Sequence, residues 1–262
     1  MMGDGMTMPV RRTEAGFSII ELMVALVAGL IVSGAVLAFT MSSLQSNSNY
    51  VLATRLTQEL RSTMDFISRD LRRAGFDEAS MGYVARVEGT ETFSPFSPIL
   101  IANEDDDDGC VIYAYDREPG NPGVVDLANG EIRGMRRIEA VVNGRTVGVI
   151  EAAESSDGVT PACDDASADY TAYPPACVGG WCALSDPRMI DVTSFVIDTD
   201  ASEDFSGSGA LSPMRIRVLD LTLTGSLVAD PDVARGLQTR IRVRADCLRA
   251  TLAECNAAPT GT

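Results

Sequence analysis

The sequence contains neither histidine nor lysine, and all 21 of its basic residues are arginine. Without histidine, the chain lacks the commonest general base and the commonest metal ligand in proteins. Catalytic sites that pair histidine with serine or cysteine are therefore excluded, as are zinc sites built on histidine. The sequence also has no CxxC pair, nucleophile elbow or phosphate-binding loop. We therefore expect a protein that is not an enzyme.

Positive charge is scarce as well, and its distribution is uneven. The net charge is -16, and residues 77–262 hold 31 of the 37 acidic residues but only 14 of the 21 arginines. Nucleic-acid affinity comes mainly from clustered positive charge. We therefore expect no direct nucleic-acid binding by this acidic part of the chain.

One hydrophobic segment is long enough to span a membrane. Residues 22–41 contain neither a charged residue nor proline, and twenty residues in a helix extend about 30 Å. Arg11 and Arg12 precede the segment, and the next basic residue is Arg55. This asymmetry predicts a single-pass protein whose N-terminus stays in the cytoplasm and whose C-terminal part crosses the membrane. A cleaved signal peptide would have a shorter apolar run, whereas a plain signal anchor remains an alternative.

Glu21 is an anomaly at the start of this apolar helix. A carboxylate costs about 2.5–3.5 kcal/mol at the bilayer centre and less near a membrane surface. An ionisable residue in such a place is a functional hypothesis by default. The alternative is a side chain that merely reaches back to the interface.

The residues around Glu21 carry a specific resemblance. The run from Gly16 to Leu26, GFSIIELMVAL, resembles the class III signal of type IV pilins and pseudopilins. The resemblance implies that prepilin peptidase cleaves between Gly16 and Phe17 and that the new amine of Phe17 is methylated. It also implies that Glu21 is an assembly determinant, whose carboxylate meets the N-terminal amine of a neighbouring subunit.

The helix is predicted to continue well beyond the membrane. A stripe of apolar residues recurs at helical spacing, and Gly75 provides a natural stop. The stripe consists of Leu52, Leu56, Leu60, Met64, Ile67 and Leu71. We therefore expect one helix over residues 17–76, apolar on all sides in its first half and amphipathic in its second.

A second resemblance lies at the end of this helix. Residues 70–76, DLRRAGF, are similar to the helix end of PilW-type minor pilins, although the type II secretion pseudopilins of the J class fit as well. The resemblance implies a minor pilin that primes a type IV pilus or forms part of its tip, with effects on adhesion and twitching motility. Its implied partners are other minor and major pilins, reached through the N-terminal helix, and the inner-membrane assembly platform. A signal-anchored periplasmic receptor is the remaining alternative.

Beyond the helix the pattern changes to short strands and polar turns. Strands are predicted over residues 111–115, 132–138, 146–151, 189–197, 214–223 and 239–244, with a hairpin turn at Asn143-Gly144. Residues 152–187 and 198–212 are predicted to be surface loops. The fold class is therefore α+β, a type IV pilin fold in which the helix packs on a mainly antiparallel sheet.

The resemblance and the pattern together divide the chain into four parts. Residues 1–16 are the cleaved leader, and 17–41 are the transmembrane and assembly half of the helix. Residues 42–76 are the amphipathic half, and 77–262 are the β-rich acidic head, periplasmic at first and on the cell surface once the fibre is built.

Six cysteines all lie beyond the hydrophobic segment: Cys110, Cys163, Cys177, Cys182, Cys247 and Cys255. An even number in the exported part predicts disulfides, and buried free thiols are the alternative. Six cysteines allow 15 pairings, of which the short loops Cys177–Cys182 and Cys247–Cys255 are the easiest to close. Trp181 lies inside one of these loops, either as an exposed contact residue or as a small core for it.

The acidic run at residues 104–108 is a calcium candidate, and no other cofactor is expected. The run begins at Glu104, its candidate ligands are Asp105, Asp106, Asp107 and Asp108, and oxygen ligands suit Ca²⁺. Aligned on Gly109, the run resembles the opening of an EF-hand loop, but Tyr115 occupies the position of the bidentate glutamate. A solvated loop is the alternative, and a second acidic run at residues 198–204 is expected to contribute remotely.

Overall fold

The structure is a computed structural model, which describes residues 16, 18–80, 93–117, 123–205 and 213–261. The chain forms two compact units, Met1–Val51 and Leu52–Thr262. One helix, α1, covers Ile19–Leu71. The strands are β1 (Ile99–Ala102), β2 (Cys110–Ala114), β3 (Ile132–Val142), β4 (Arg145–Glu154), β5 (Trp181–Ala183), β6 (Ile190–Asp198), β7 (Glu203–Phe205), β8 (Met214–Ile216), β9 (Val218–Leu227), β10 (Asp230–Arg242) and β11 (Cys247–Leu248). A short 3-10 helix, Leu252–Asn256, lies near the end of the chain.

The first part of α1 is long and apolar enough to cross a membrane. The helix begins where the Leu22 amide donates a hydrogen bond to the Ser18 carbonyl oxygen, 3.1 Å away. The described residues from Ser18 to Val51 are all exposed in the isolated chain. Within the described residues nothing covers these apolar side chains, and such a surface favours contact with lipid or with other helices.

The second part of α1 carries the predicted stripe, and its burial is confirmed. Leu56, Leu60, Ile67 and Leu71 are at most 1% exposed, and Met64 is 5% exposed. Each occurs three or four residues after the last, so all lie on one side of the helix. This side faces the inner surface of the strands and forms the main core with them.

α1 ends at Leu71, a few residues before the predicted end at residue 76. The chain forms a 3-10 turn there, since the Arg73 amide donates a 2.9 Å hydrogen bond to the carbonyl oxygen of Asp70, three residues earlier. In an α-helix the acceptor lies four residues earlier. Gly75 then takes a φ of +75°, and its amide donates to the Ala114 carbonyl oxygen at 2.8 Å. A side chain on Gly75 would lie 3.0 Å from the Ala245 Cβ, which favours glycine on steric grounds too.

The first sheet has the order β1-β2-β3-β4-β5, and every neighbouring pair is antiparallel. Its longest hairpin joins β3 to β4 across Asn143-Gly144, as predicted. Both turn residues have positive φ, +51° and +77°, the requirement of a type I′ turn. The α+β layout with antiparallel sheets, expected for a type IV pilin, is thereby confirmed.

Two three-stranded sheets complete the described part of the head, with orders β10-β9-β6 and β11-β8-β7. The predicted strand over residues 214–223 is divided into β8 and β9 at Arg217. This correction has a physical cause: the Arg217 side chain turns inward and is only 4% exposed. Its guanidinium donates to the carbonyl oxygens of Ser97 (2.6 Å) and Ala245 (3.1 Å). The predicted loop regions also contain β5 and β7, each three residues long.

A smaller second core lies around Trp181, which is fully buried. It contains Phe96, Ile112, Ile132 and Ala153 together with Cys110. A side chain on Gly134 would approach the indole to 2.7 Å, so glycine at this β3 position makes room for the ring. Trp181 is therefore a core residue rather than an exposed contact residue.

Candidate assembly and processing site

The predicted cleavage junction lies in front of α1. Gly16 is exposed, and an added Cβ there would meet no atom within 4 Å. Phe17 lies outside the described residues, and Ser18 is exposed. Gly16 is thus exposed among the described residues, and the helix starts two residues after the predicted new N-terminus.

Glu21 lies in the first turn of α1 and is exposed. It is the only charged residue between Ser18 and Thr54. Its carboxylate makes no hydrogen bond or ion pair with another described residue. A carboxylate in the first turn is favoured by the helix dipole, by about 0.3–1 kcal/mol in water. This interaction with the helix dipole stabilises the helix start, and it leaves the carboxylate without a counter-ion in the described part of the chain.

A continuous apolar surface surrounds Glu21. The large apolar side chains between Ile19 and Met41 are 55–81% exposed. Within this surface, Gly29 and Gly34 have no atom near the place of a Cβ, so another helix can approach their backbone closely. The arrangement suits insertion in lipid or packing among like helices, with Glu21 as its single charge.

At the other end of α1, Asp70 joins the helix to the first sheet. Its carboxylate accepts hydrogen bonds from the hydroxyls of Tyr113 (2.5 Å) and Tyr115 (2.9 Å). It also forms an ion pair with Arg133, whose Nε lies 2.7 Å away. Burial, reinforced by the Asp70 charge, raises the pKa of the Tyr113 hydroxyl well above its usual range and raises the pKa of Tyr115 as well. Both hydroxyls thus stay protonated and act as donors. We call this group the Asp70 cluster.

Neighbouring residues of the same segment strengthen this attachment. The Arg73 guanidinium lies 4.6 Å from the centre of the Tyr115 ring, within reach of a cation–π interaction. The Arg244 amide donates to the Arg72 carbonyl oxygen at 3.3 Å. In the sequence, the DLRRAGF segment carries only a resemblance. Its described contacts give it a role in fixing the helix end to the head.

All six cysteines form disulfides in the structure. The bonds are Cys110–Cys163, Cys177–Cys182 and Cys247–Cys255. The two short loops are those that the sequence favoured, and the third bond spans 53 residues. This long-range bond ties the irregular segment between β4 and β5 to strand β2.

A buried ion pair holds the same irregular segment. Arg136 and Glu151 face each other on β3 and β4, and their side chains are 2% and 0% exposed. Arg136 also donates to the carbonyl oxygens of Cys163 and Asp165, each at 2.9 Å, and stacks over Trp181 at 3.9 Å. Sequence reasoning missed this pair, because nothing local distinguishes it from the surface charges around it.

The calcium candidates lie in an exposed loop. Among the described residues, no three acidic or cysteine side chains are grouped as metal ligands. Asp108 forms an ion pair with Arg137 instead. Partial loss of hydration and the charges of Asp198 and Asp200 raise the pKa of Asp105. The second acidic run, residues 198–204, therefore lies close to the first. The two runs therefore form one acidic surface, without the ligand geometry that calcium requires.

Comparison with known families agrees with these features. Residues 49–243 match the family model described as Prepilin peptidase-dependent protein B, and they make up well over half of the chain. Residues 11–37 match the Prokaryotic N-terminal methylation motif, which includes Gly16, Phe17 and Glu21. No curated protein and no solved structure matches the chain significantly.

Proposed function

This chain belongs to the prepilin peptidase-dependent protein B family, and from that premise we propose that it is a minor pilin subunit of a type IV pilus. In this role it primes fibre growth or forms part of the tip. As a type IV pilin-like protein it is processed by prepilin peptidase, and its apolar N-terminal helix anchors it in a membrane.

The observation that carries the proposal is the lone carboxylate of Glu21 on an otherwise apolar, exposed helix surface. Cleavage between Gly16 and Phe17 creates a positive amine four residues before it. A charge alone in a low-dielectric setting is costly, and an opposite charge nearby offsets much of that cost. We propose that Glu21 of an incoming subunit pairs with the Phe17 amine of its neighbour, which sets the axial register of the fibre.

The proposal also assigns roles to the remaining parts of the chain. Residues 1–16 are removed as a leader on the cytoplasmic side, and 17–41 pass from the inner membrane into the fibre core. Residues 42–76 carry the head, and residues 77–262 are displayed first in the periplasm and then on the fibre. The expected partners are other pilins, reached through the helix, and the inner-membrane assembly platform.

A J-class pseudopilin of type II secretion is the second candidate, favoured by the same DLRRAGF segment and by the large head. Deletion of the gene separates the two. Loss of surface fibres with protein secretion intact supports the pilus, whereas loss of secretion with fibres intact supports the pseudopilin.

The role of Glu21 is tested by Glu21→Ala and Glu21→Gln, both of which remove the charge. We expect processed protein in the membrane at near-normal level but no incorporation into sheared fibres, because the subunit no longer pairs with a neighbour's amine. Asp232→Ala is the matched control, since Asp232 is an exposed carboxylate on β10 without an ion pair among the described residues. Normal incorporation of both Glu21 variants would refute the assembly role.

A further inference from the structure

A groove of about 430 Å³ lies between the last turns of α1 and strand β10, within the unit Leu52–Thr262. The helix side contributes Arg61, Asp65, Ser68, Arg69 and Arg72, and the strand side contributes residues 237–239. With three arginines and one aspartate, the groove is cationic on a chain whose net charge is -16. It takes no part in the cleavage junction, in the Glu21 pairing or in the Asp70 cluster.

The groove's charged groups have no partners within the described part of the chain. Arg61 and Arg69 each lie four residues from Asp65, yet neither forms an ion pair with it, and Arg72 has none either. The Ser68 side chain is 8% exposed, and its hydroxyl has no hydrogen-bond partner among the described residues. Buried hydroxyls are normally paired. The groove therefore offers three free guanidinium groups and one unused hydroxyl to an anionic ligand.

The strand side of the groove is a sheet edge. Among the described strands, β10 is hydrogen-bonded to β9 alone. The outer side of such a strand presents unpaired amide groups, which carboxylate oxygens of a partner can accept hydrogen bonds from. A protein segment with several carboxylates thus fits both walls of the groove, whereas a free phosphate brings a single charged group.

An acidic turn lies at the opposite edge of the same sheet. Asp105 has a φ of +62° and the Asp106 amide donates to the Asn103 carbonyl oxygen at 3.2 Å, so the turn offers its carboxylates rather than an extended backbone to a partner. Residues 104–108 run beside β6: the Phe195 amide donates to the Asp107 carbonyl oxygen at 2.7 Å, and the Asp105 amide donates to the Ile197 carbonyl oxygen at 3.4 Å. Glu104, Asp105, Asp106 and Asp107 are all exposed. The order across the sheet is therefore acidic loop, β6, β9, β10 and groove. At about 4.8 Å for each strand spacing, loop and groove are roughly three strands apart.

We propose that the groove binds the acidic loop, residues 104–107, of a second copy of this chain. The two surfaces differ in position and in charge, so the contact is head-to-tail and leaves one groove and one loop free at the ends. One such contact joins two copies, and repeated contacts of this type form rings or open filaments, depending on whether the rotation between copies closes. The contact between groove and acidic loop lies between heads and is separate from the pairing at Glu21. It does not depend on whether the fibre is a pilus or a pseudopilus.

Charge exchange tests the contact in the full-length chain, purified in a non-ionic detergent. The groove variant carries Arg69→Glu and Arg72→Glu, the loop variant carries Asp105→Arg and Asp106→Arg, and the combined variant carries all four. Self-association is measured by sedimentation at low and at high salt. A shared control carries Arg55→Glu and Arg235→Glu, two exposed arginines outside the groove. Fluorescence of the buried Trp181 verifies that each head is folded.

We expect the wild-type chain to self-associate more strongly at low salt, because salt screens surface charges. The groove variant and the loop variant should each weaken association by about tenfold or more, since each places like charges in contact. The combined variant keeps the wild-type net charge and should recover most of the association. An unchanged groove variant, a folded combined variant without recovery, or a loss in the control equal to that in the groove variant would each overturn the proposal.

Discussion

Replacing Asp70 by alanine removes the carboxylate that joins the end of α1 to the first sheet. Two tyrosine hydroxyls then lose their acceptor, and Arg133 loses the partner that lies 2.7 Å from its Nε. The Arg133 side chain is 8% exposed and keeps Glu154 at 2.6 Å, and the Glu154 side chain is 51% exposed. The positive charge is therefore left partly, but not wholly, compensated.

The expected loss of stability follows from these contacts. Removing one partner of a buried ion pair costs about 3–5 kcal/mol, because the other charge remains buried. Because Arg133 keeps its contact with Glu154, we expect the loss of unfolding free energy to lie near the lower end of this range, at about 3–4 kcal/mol. Asp70→Asn keeps an acceptor for the tyrosines and should cost roughly half as much.

Denaturant unfolding of the full-length chain in detergent measures this loss. Trp181, the only tryptophan, is fully buried in the head and therefore reports on unfolding of that unit. Asp65→Ala is the control on the same helix, an exposed aspartate without an ion pair, and should change stability by less than about 0.5 kcal/mol. Equal, small effects of Asp70→Ala and Asp65→Ala would show that the Asp70 cluster does not hold the helix to the sheet.

Alkaline pH and disulfide removal provide two further tests. The pKa values of Tyr113 and Tyr115 are raised in the fold, so their contribution to the free energy of unfolding is complete below about pH 10. As pH rises further, this stabilisation is lost by roughly 1.4 kcal/mol per pH unit for each tyrosine. Tyr113→Phe should make the decline in unfolding free energy shallower, and a slope identical to wild type would contradict this. Replacing both cysteines of Cys110–Cys163 by serine should cost about 4 kcal/mol, against about 2 kcal/mol for Cys177–Cys182, because the bonds close loops of 53 and 5 residues. Equal losses of thermal or denaturant stability would contradict the loop-closure explanation.

The elements that could be predicted from the sequence are those whose signal is local. The apolar stripe from Leu56 to Leu71 repeats at helical spacing, and burial follows from that spacing alone. The Asn143-Gly144 turn has the residues that positive φ requires, and so it places the longest hairpin correctly. The cleavage junction and the role of Glu21 stay predictions, which rest on a short, continuous segment within the matched motif at residues 11–37.

The features that could not be predicted depend on residues far apart in the chain. β5 is three residues long and is a strand only because it pairs with β4. Cys110 and Cys163 are 53 residues apart in the sequence, so the fold rather than a short loop brings them together. Asp70 meets Tyr113 and Tyr115 across more than forty residues, so the sequence shows only a charged residue near a helix end.

The most direct test of the central claim is mass spectrometry of the protein's N-terminus, isolated from membranes and from sheared fibres. If the chain is a processed pilin-like subunit, both forms should begin at N-methylated Phe17, with residues 1–16 absent. Gly16→Leu should accumulate as the uncleaved chain, because it alters the residue before the cleaved bond. A membrane form that keeps the leader intact in wild-type cells, or a mature form that begins elsewhere, would contradict the account and favour a simple signal anchor.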